Sequence, residues 1–310
     1  MAAPASPSSS SSSAPSPSAS SPSASSIAAD AASAAGTPAA ASDESSAAAA
    51  DFLSRVQGAG ELTAALLGLI LAPGSQRARQ AWQLETETIA SAAAVLAQVA
   101  GLLPNARLPW FERLLKRMRR QSLDARQTLL EGTRRVMSAR GSLRPIDRLH
   151  WFAMRQRLGE ATPASARQAA SADLSQLPDL EMHAIAVYTA FLSRMIPLEL
   201  PATAPSEAER AAGPDWYLAV MNHWPQHEVP ALELPGGDAL VHALHQLQAM
   251  AWMQRPVLVR TWVAAALARR ERGRLRDTAA DALRLSCRLL DSPLPPELAQ
   301  HFIEPPPESR

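Results

Sequence analysis

An all-α fold is the expectation for this chain, and three observations carry it. Outside the first fifty residues the composition is rich in Ala, Leu and Arg, and aromatic residues make up only 5% of the whole. No alternating β-branched run of strand length occurs, and apolar residues recur at helical spacing between Pro and Gly stops. The predicted architecture is two related multi-helix bundles after a disordered N-terminal tail. Its boundaries fall at 1–50 for the tail, 51–160 for the first bundle and 161–177 for a linker. The second bundle takes 178–303, and 304–310 forms a short C-terminal tail.

Residues 1–50 are mostly Ser, Ala and Pro, with no aromatic residue, Lys or Arg. Such a segment cannot bury enough apolar surface to offset a backbone ordering cost of roughly 1–2 kcal/mol per residue. It also lacks the basic start and continuous apolar core of a signal peptide.

Asp51 to Leu71 then reads as a first helix, stopped by Pro73-Gly74. Its run Leu66 to Leu71 is too short for a membrane span, which needs about 20 apolar residues. Gln76 to Leu103 reads as one helix or a broken pair, ended by Pro104-Asn105, and Pro109 starts the next. Ser122 is a good N-cap, Arg140-Gly141 turns the chain, and Pro145 opens another helix. The polar stretch 159–177 is a connection. Pro178 starts a helix reaching Met195, Pro197 to Gly213 is a long loop, and Asp215 to Trp224 is a short helix after Pro214. His227 to Pro235 reads as irregular, and Asp238 caps a helix to Trp252.

The last pair of helices spans Met253 to Pro296. Val257, Val259, Trp262, Val263, Ala266 and Leu267 line one face, Gly273 permits the reversal, and Leu283, Leu285, Leu289 and Leu290 line the second helix. Asp291-Ser292-Pro293 ends it. This pair repeats an earlier one. Ser122 to Leu158 and Gln254 to Leu290 both read helix, Arg-Gly-x-Leu turn, helix, offset by 132 residues, which suggests two related helical bundles.

Charge is uneven behind a net value of +1. Residues 107–157 hold fourteen Lys or Arg against four acids, whereas no basic residue precedes Arg55. Such a band suits an acidic protein partner, a phosphate backbone or an anionic surface, or it is simply a solvated helix face. Without interleaved exposed aromatics or a known nucleic-acid module, nucleic acid is the weaker reading. Cys287, the single cysteine, sits inside a predicted helix as a small apolar residue and gives no evidence of an oxidising compartment. The seven tryptophans read as packing residues, with Trp216 and Trp224 placed to line a small groove.

The closing stretch resembles the C-terminal helical extension of long bacterial HtpX-like membrane zinc metallopeptidases, an extension similar to TerB-type helical domains. The residues that carry it are Glu271-Arg272-Gly273-Arg274-Leu275, Ala279, Leu283-Arg284 and Ser292-Pro293-Leu294-Pro295-Pro296. Arg77-Ala78-Arg79-Gln80, Arg107-Leu108-Pro109 and Arg140-Gly141 match an earlier segment of the same extension. The resemblance spans roughly residues 50 to 303.

It implies a helical module without the peptidase. In the family turn an Asp and a later Glu suit a divalent cation or pin the hairpin. Here those places hold Arg140 and Asp147 in one repeat, and Arg272 and Ala279 in the other, so no metal is expected at either turn. The peptidase motif H-E-x-x-H is absent from all seven histidines. His223 and His227 are separated by the helix breaker Pro225, and His242 and His245 have no nearby carboxylate except Asp238. Neither a phosphate-cradling Gly loop nor a nucleophile elbow occurs.

The expected role is therefore a non-enzymatic interaction or regulatory module with no cofactor. Arg117, Arg120, Arg140, Arg144, Arg272 and Arg274 are the candidate contacts to a protein partner, for example a separately encoded membrane peptidase or an envelope protein. The expected location is cytoplasmic or peripheral to the inner membrane. The rivals are a fragment of a full membrane zinc metallopeptidase of protein quality control, and weak non-specific nucleic-acid binding by the 107–157 band.

Overall fold

Ala-rich sequence next to a partner surface makes good helix, and helix starts earlier than the composition suggested. The computed structural model describes residues 38–159, 174, 177–196, 207–268 and 275–307. Among these, every regular element is helical: α1 (Pro38–Arg55), α2 (Ala59–Leu69), α3 (Gln76–Glu85), α4 (Ala92–Gly101), α5 (Pro104–Met118), α6 (Leu123–Ser138) and α7 (Pro145–Leu158). Then follow α8 (Asp179–Leu192), α9 (Glu207–Met221), α10 (Gly237–Ala249), α11 (Gln254–Ala268), α12 (Asp277–Leu289) and the single turn α13 (Pro296–Ala299). The all-α expectation holds, and no described helix is long and apolar enough to cross a membrane.

Several boundaries differ from the sequence reading, each for a local reason. Residues 38–50, read as tail, belong to α1. Ala49 and Leu53 are buried, and Ser46 Oγ accepts from the Leu103 N–H at 3.2 Å. Alanine carries no propensity cost, so a modest packing face is enough to order it. The single helix predicted over Asp51 to Leu71 is two, because Gly58 is extended (φ −66, ψ 142) and starts α2 afresh. Gly74 completes the stop with φ 75.

The stretch Gln76 to Leu103 is the broken pair, α3 and α4, and it ends before Pro104 as expected; Pro104 also starts α5, so Pro109, predicted to start that helix, lies inside it. A proline there has no N–H to give the carbonyl four residues back. That carbonyl, on Asn105, accepts from the Ile303 N–H at 3.2 Å. In the same way α9 runs upstream through Pro214, where Gly213 has no Cβ to clash with the ring. Asp238 lies in the first turn of α10, and Gly236 occupies the cap position. By contrast Ser122 caps α6 as expected, accepting from the Ala125 N–H. Gly141 takes φ 84 at the predicted turn. At the end of α12, Asp291 adopts φ 51 while the Ser292 and Asp291 N–H groups return to the Cys287 and Arg288 carbonyls. This is a Schellman closure.

Some of the packing order in the first half recurs in the second. In the first half α2 packs on α3, α4, α5 and α6, α3 packs on α6, and α6 on α7. In the second, α8 packs on α9 and α10, α9 on α11, and α11 on α12. Helix α4 has no counterpart in that sequence of contacts, since residues 222–236 hold no helix. The last helices of the two sets, α7 and α12, pack on each other. The described residues from Ala39 onward form one compact body.

Tryptophans anchor helices in both halves. Trp82 Nε1 donates to the Ala64 carbonyl at 3.0 Å, tying α3 to α2. Trp262 Nε1 donates to Thr189 Oγ1 at 3.0 Å and stacks on Tyr188 with centroids 5.4 Å apart, tying α11 to α8. Six of the seven tryptophans are buried or half-buried as expected. Trp252 is the exception, 56% exposed in the loop after α10.

Candidate functional site

A helix ends with carbonyls that have no partner and with the negative end of its dipole, so it attracts a cation with several donors. Guanidinium supplies those donors in a fixed fork, and ammonium does not. The basic band uses this chemistry inward. Arg117 Nη1 donates to the Leu53 and Val56 carbonyls at 3.0 and 2.9 Å, closing α1. Arg107 Nη1 donates to the Val99 carbonyl at the end of α4, and Arg126 Nη1 to the Leu158 carbonyl at the end of α7. Arg255 donates to the Gln248 and Met250 carbonyls at the end of α10 and to the Leu290 carbonyl at the end of α12. These arginines are interhelical staples.

Arg140 and Arg144 meet at one buried carboxylate. Asp147, fully buried, accepts from Arg140 Nη1 at 2.7 Å, from Arg144 Nη2 at 2.9 Å and from the Arg144 backbone N–H at 3.0 Å. Arg140 Nη2 also donates to the Ile70 carbonyl at 2.9 Å, which closes α2. Burial lowers the Arg140 pKa from its ordinary value, with Asp147 opposing the shift. A guanidinium thus stands on the carboxylate that the resemblance placed beside a cation. Arg272 and Arg274, the corresponding candidates in the second half, lie outside the described residues.

Of the candidate contacts, Arg120 is exposed, and it has company. The C-terminus of α5, the N-terminus of α6 and the C-terminus of α7 share one end of the first half, as the Arg126 to Leu158 bond shows. Lys116, Arg119, Arg120, Arg155 and Arg157 are all exposed there, with Asp124 the acid among them. Arg134 is exposed as well but lies over the Trp151 ring, 4.9 Å from its centroid.

Nucleophilic and metal chemistry find little to work with. Cys287 is 1% exposed, and burial pushes its thiol up to about 12, leaving no thiolate at neutral pH. Burial takes the His150 pKa down to about 4, its ring lying edge-on to Phe111 at 5.0 Å. Among the described residues no group of three or more His, Cys, Asp or Glu is arranged to hold a metal ion. His223 and His227 flank Trp224, a buried residue, so Trp216 and Trp224 are core rather than groove lining. A hollow of about 70 Å³ lies between α8 and α10, lined by Leu180, His183, Val187, Ala239, His242 and Gln246.

One polar cluster had no sequence signal. Arg284, on the buried face of α12, pairs with Glu112 of α5 at 2.8 Å and with Glu304 of the C-terminal segment. Arg288 shares Glu112 at 3.1 Å. Alongside, His301 Nε2 meets Asp277 Oδ1 at 3.0 Å, and Asp281 lies one turn further along α12. Burial, and next the Asp277 charge, push the Asp281 carboxyl up to about 8 against the pull of Arg284 and Arg107. The partners lie 172 residues apart, beyond the reach of any spacing rule.

No protein-family model matches the chain, and neither a curated protein nor a solved structure matches it.

Proposed function

We propose that this chain is a non-catalytic helical interaction or regulatory module, akin to the TerB-like extension of HtpX-like zinc metallopeptidases, that holds a protein partner through its Arg-rich face. The observation that supports this reading is the exposed basic end. While neighbouring arginines of the same band close helix termini, Lys116, Arg119, Arg155 and Arg157 are exposed together where three helix ends meet. Like charges held together raise one another's energy unless an anionic surface relieves them, so the arrangement favours an acidic partner. A membrane peptidase or envelope protein met from the cytoplasmic side fits that description. In the same reading, the shared pairings α2–α3, α2–α5, α3–α6 and α6–α7 with α8–α9, α8–α10, α9–α11 and α11–α12 reflect duplication of one helical unit.

The test is an affinity capture with the unaltered chain and with Arg119→Glu/Arg155→Glu/Arg157→Glu. A protein held in stoichiometric amount by the first and lost from the second supports the basic end. Equal capture by both refutes it. The same band supports weak nucleic-acid binding as the second reading, and this would show a steep loss of affinity for any duplex as salt rises. Indifference to duplex DNA at low salt removes it.

A further inference from the structure

The C-terminal residues 300–307 cross α5 and α12 without helical structure. Their contacts are those of a bound peptide. Pro109 leaves the Asn105 carbonyl open within α5, and the Ile303 N–H fills it at 3.2 Å. Asn105 Nδ2 returns a bond to the His301 carbonyl at 3.2 Å. Two residues on, Arg113 donates to the Pro305 carbonyl at 3.2 Å and to that of Pro306. Both ends of the segment are thus read through its main chain, as in recognition of an extended peptide.

Side chains alternate in the manner of an extended strand. Phe302 points in and is buried, Ile303 points out and is exposed, and Glu304 returns to α12. Arg284 reads two of them at once: its guanidinium lies 4.6 Å over the Phe302 ring and donates to both Glu304 oxygens. Prolines 305–307 hold the rest extended and have no N–H of their own to satisfy.

The two sides of this contact are built differently. The Arg284 side chain is 4% exposed and pairs with Glu112 at 2.8 Å as well as with Glu304, so it has a second counter-ion on the cleft's own side. Glu304, at 57%, remains in water while it binds. The cleft is thus charge-balanced from its own side, while the segment is held by its main chain, the Phe302 ring and Glu304.

We propose that the cleft between α5 and α12 is a binding site for an extended acidic segment of a partner protein with the pattern Phe-x-Glu-Pro-Pro, and that residues 302–306 occupy it in cis as a displaceable substitute. Displacement couples the release of residues 302–306 to arrival of the partner. The site is separate from the basic end, and either stands if the other fails.

The test uses the full chain carrying Phe302→Ala/Glu304→Ala, which weakens the cis segment, and a fluorescent peptide of residues 299–307 as probe. A tethered segment competes at an effective concentration on the order of millimolar, so the probe should bind the variant at least ~10-fold more tightly than the unaltered chain. Adding Arg113→Ala to the variant should weaken the probe again, and a probe with Phe and Glu both replaced by Ala should bind neither chain. Equal binding to both chains, or binding indifferent to the Phe and Glu of the probe, overturns the proposal. So does a concentration-dependent dimer of the unaltered chain formed by exchange of this segment, which would make a second copy the occupant. Hydrogen exchange on the unaltered chain tests the same point without a substitution. The Ile303 amide should exchange at least ~100-fold faster than the interior amides of α12, by local opening. Exchange of Ile303 only with global unfolding would make the segment a fixed part of the core and overturn the proposal.

Discussion

Asp281→Asn is predicted to stabilise the protein at alkaline pH and to leave it almost unchanged in acid. In the folded chain this carboxyl sits on α12 against α5, lifted to about 8 by burial and by the Asp277 and Glu112 charges, with Arg284 and Arg107 opposing. In the unfolded chain it titrates near its ordinary value of about 3.9. Between those two values the folded state binds more proton than the unfolded one, so this group's contribution to stability falls as pH rises and levels off above 8. At 1.36 kcal/mol per pKa unit the full difference is at most about 6 kcal/mol, and partial contact with solvent brings the expected effect nearer about 2–3. Asparagine keeps the shape and cannot ionise. Urea unfolding followed by circular dichroism should therefore show the variant about 2–3 kcal/mol more stable at pH 8.5, and within about 0.5 of the unaltered chain at pH 4. A variant less stable at pH 8.5 would refute the reasoning, because it would mean that the carboxylate is needed as the counter-ion of Arg107 and Arg284.

Other expectations follow from the arginine staples and the buried thiol. Arg117→Lys should destabilise by about 1–2 kcal/mol in the same unfolding assay, since one ammonium does not reproduce the two bonds that close α1. Asp147→Ala should cost about 3–5 kcal/mol, because it strips Arg140, almost wholly buried, of its carboxylate; Arg140→Met in the same chain should recover part of that loss. Cys287 should resist a thiol reagent at pH 8 in the native chain and react fully in urea, its thiol being buried and pushed up to about 12. Rapid labelling of the native protein would show that α12 opens locally.

The helices announced themselves through local chemistry. Ser122, Pro145, Gly141 and Asp291 act within one or two turns of their own positions, through hydroxyl acceptance, a fixed φ or a permitted positive φ, so their roles were legible from neighbouring residues. The periodic apolar faces of α11 and α12 were legible for the same reason, and Val259, Trp262, Leu283 and Leu289 are all buried. Pro109 misled because a proline marks a helix start only when nothing else satisfies the carbonyl it abandons. At Pro109 the replacement donor, Ile303, comes from the far end of the chain.

What the sequence determined by itself is the class of the fold, the order of its helices and the presence of a strong basic band. These depend on propensity, periodicity and charge count, all of which are local or additive. What only the tertiary structure decided is the work each arginine does. Arg117 and Arg119 are two residues apart, yet one closes α1 from the last turn of α5 while the other, at that helix's C-cap, is exposed at the basic end. A guanidinium binds whichever carbonyls or carboxylates packing brings within about 3 Å, and that distance is set by helices remote in sequence.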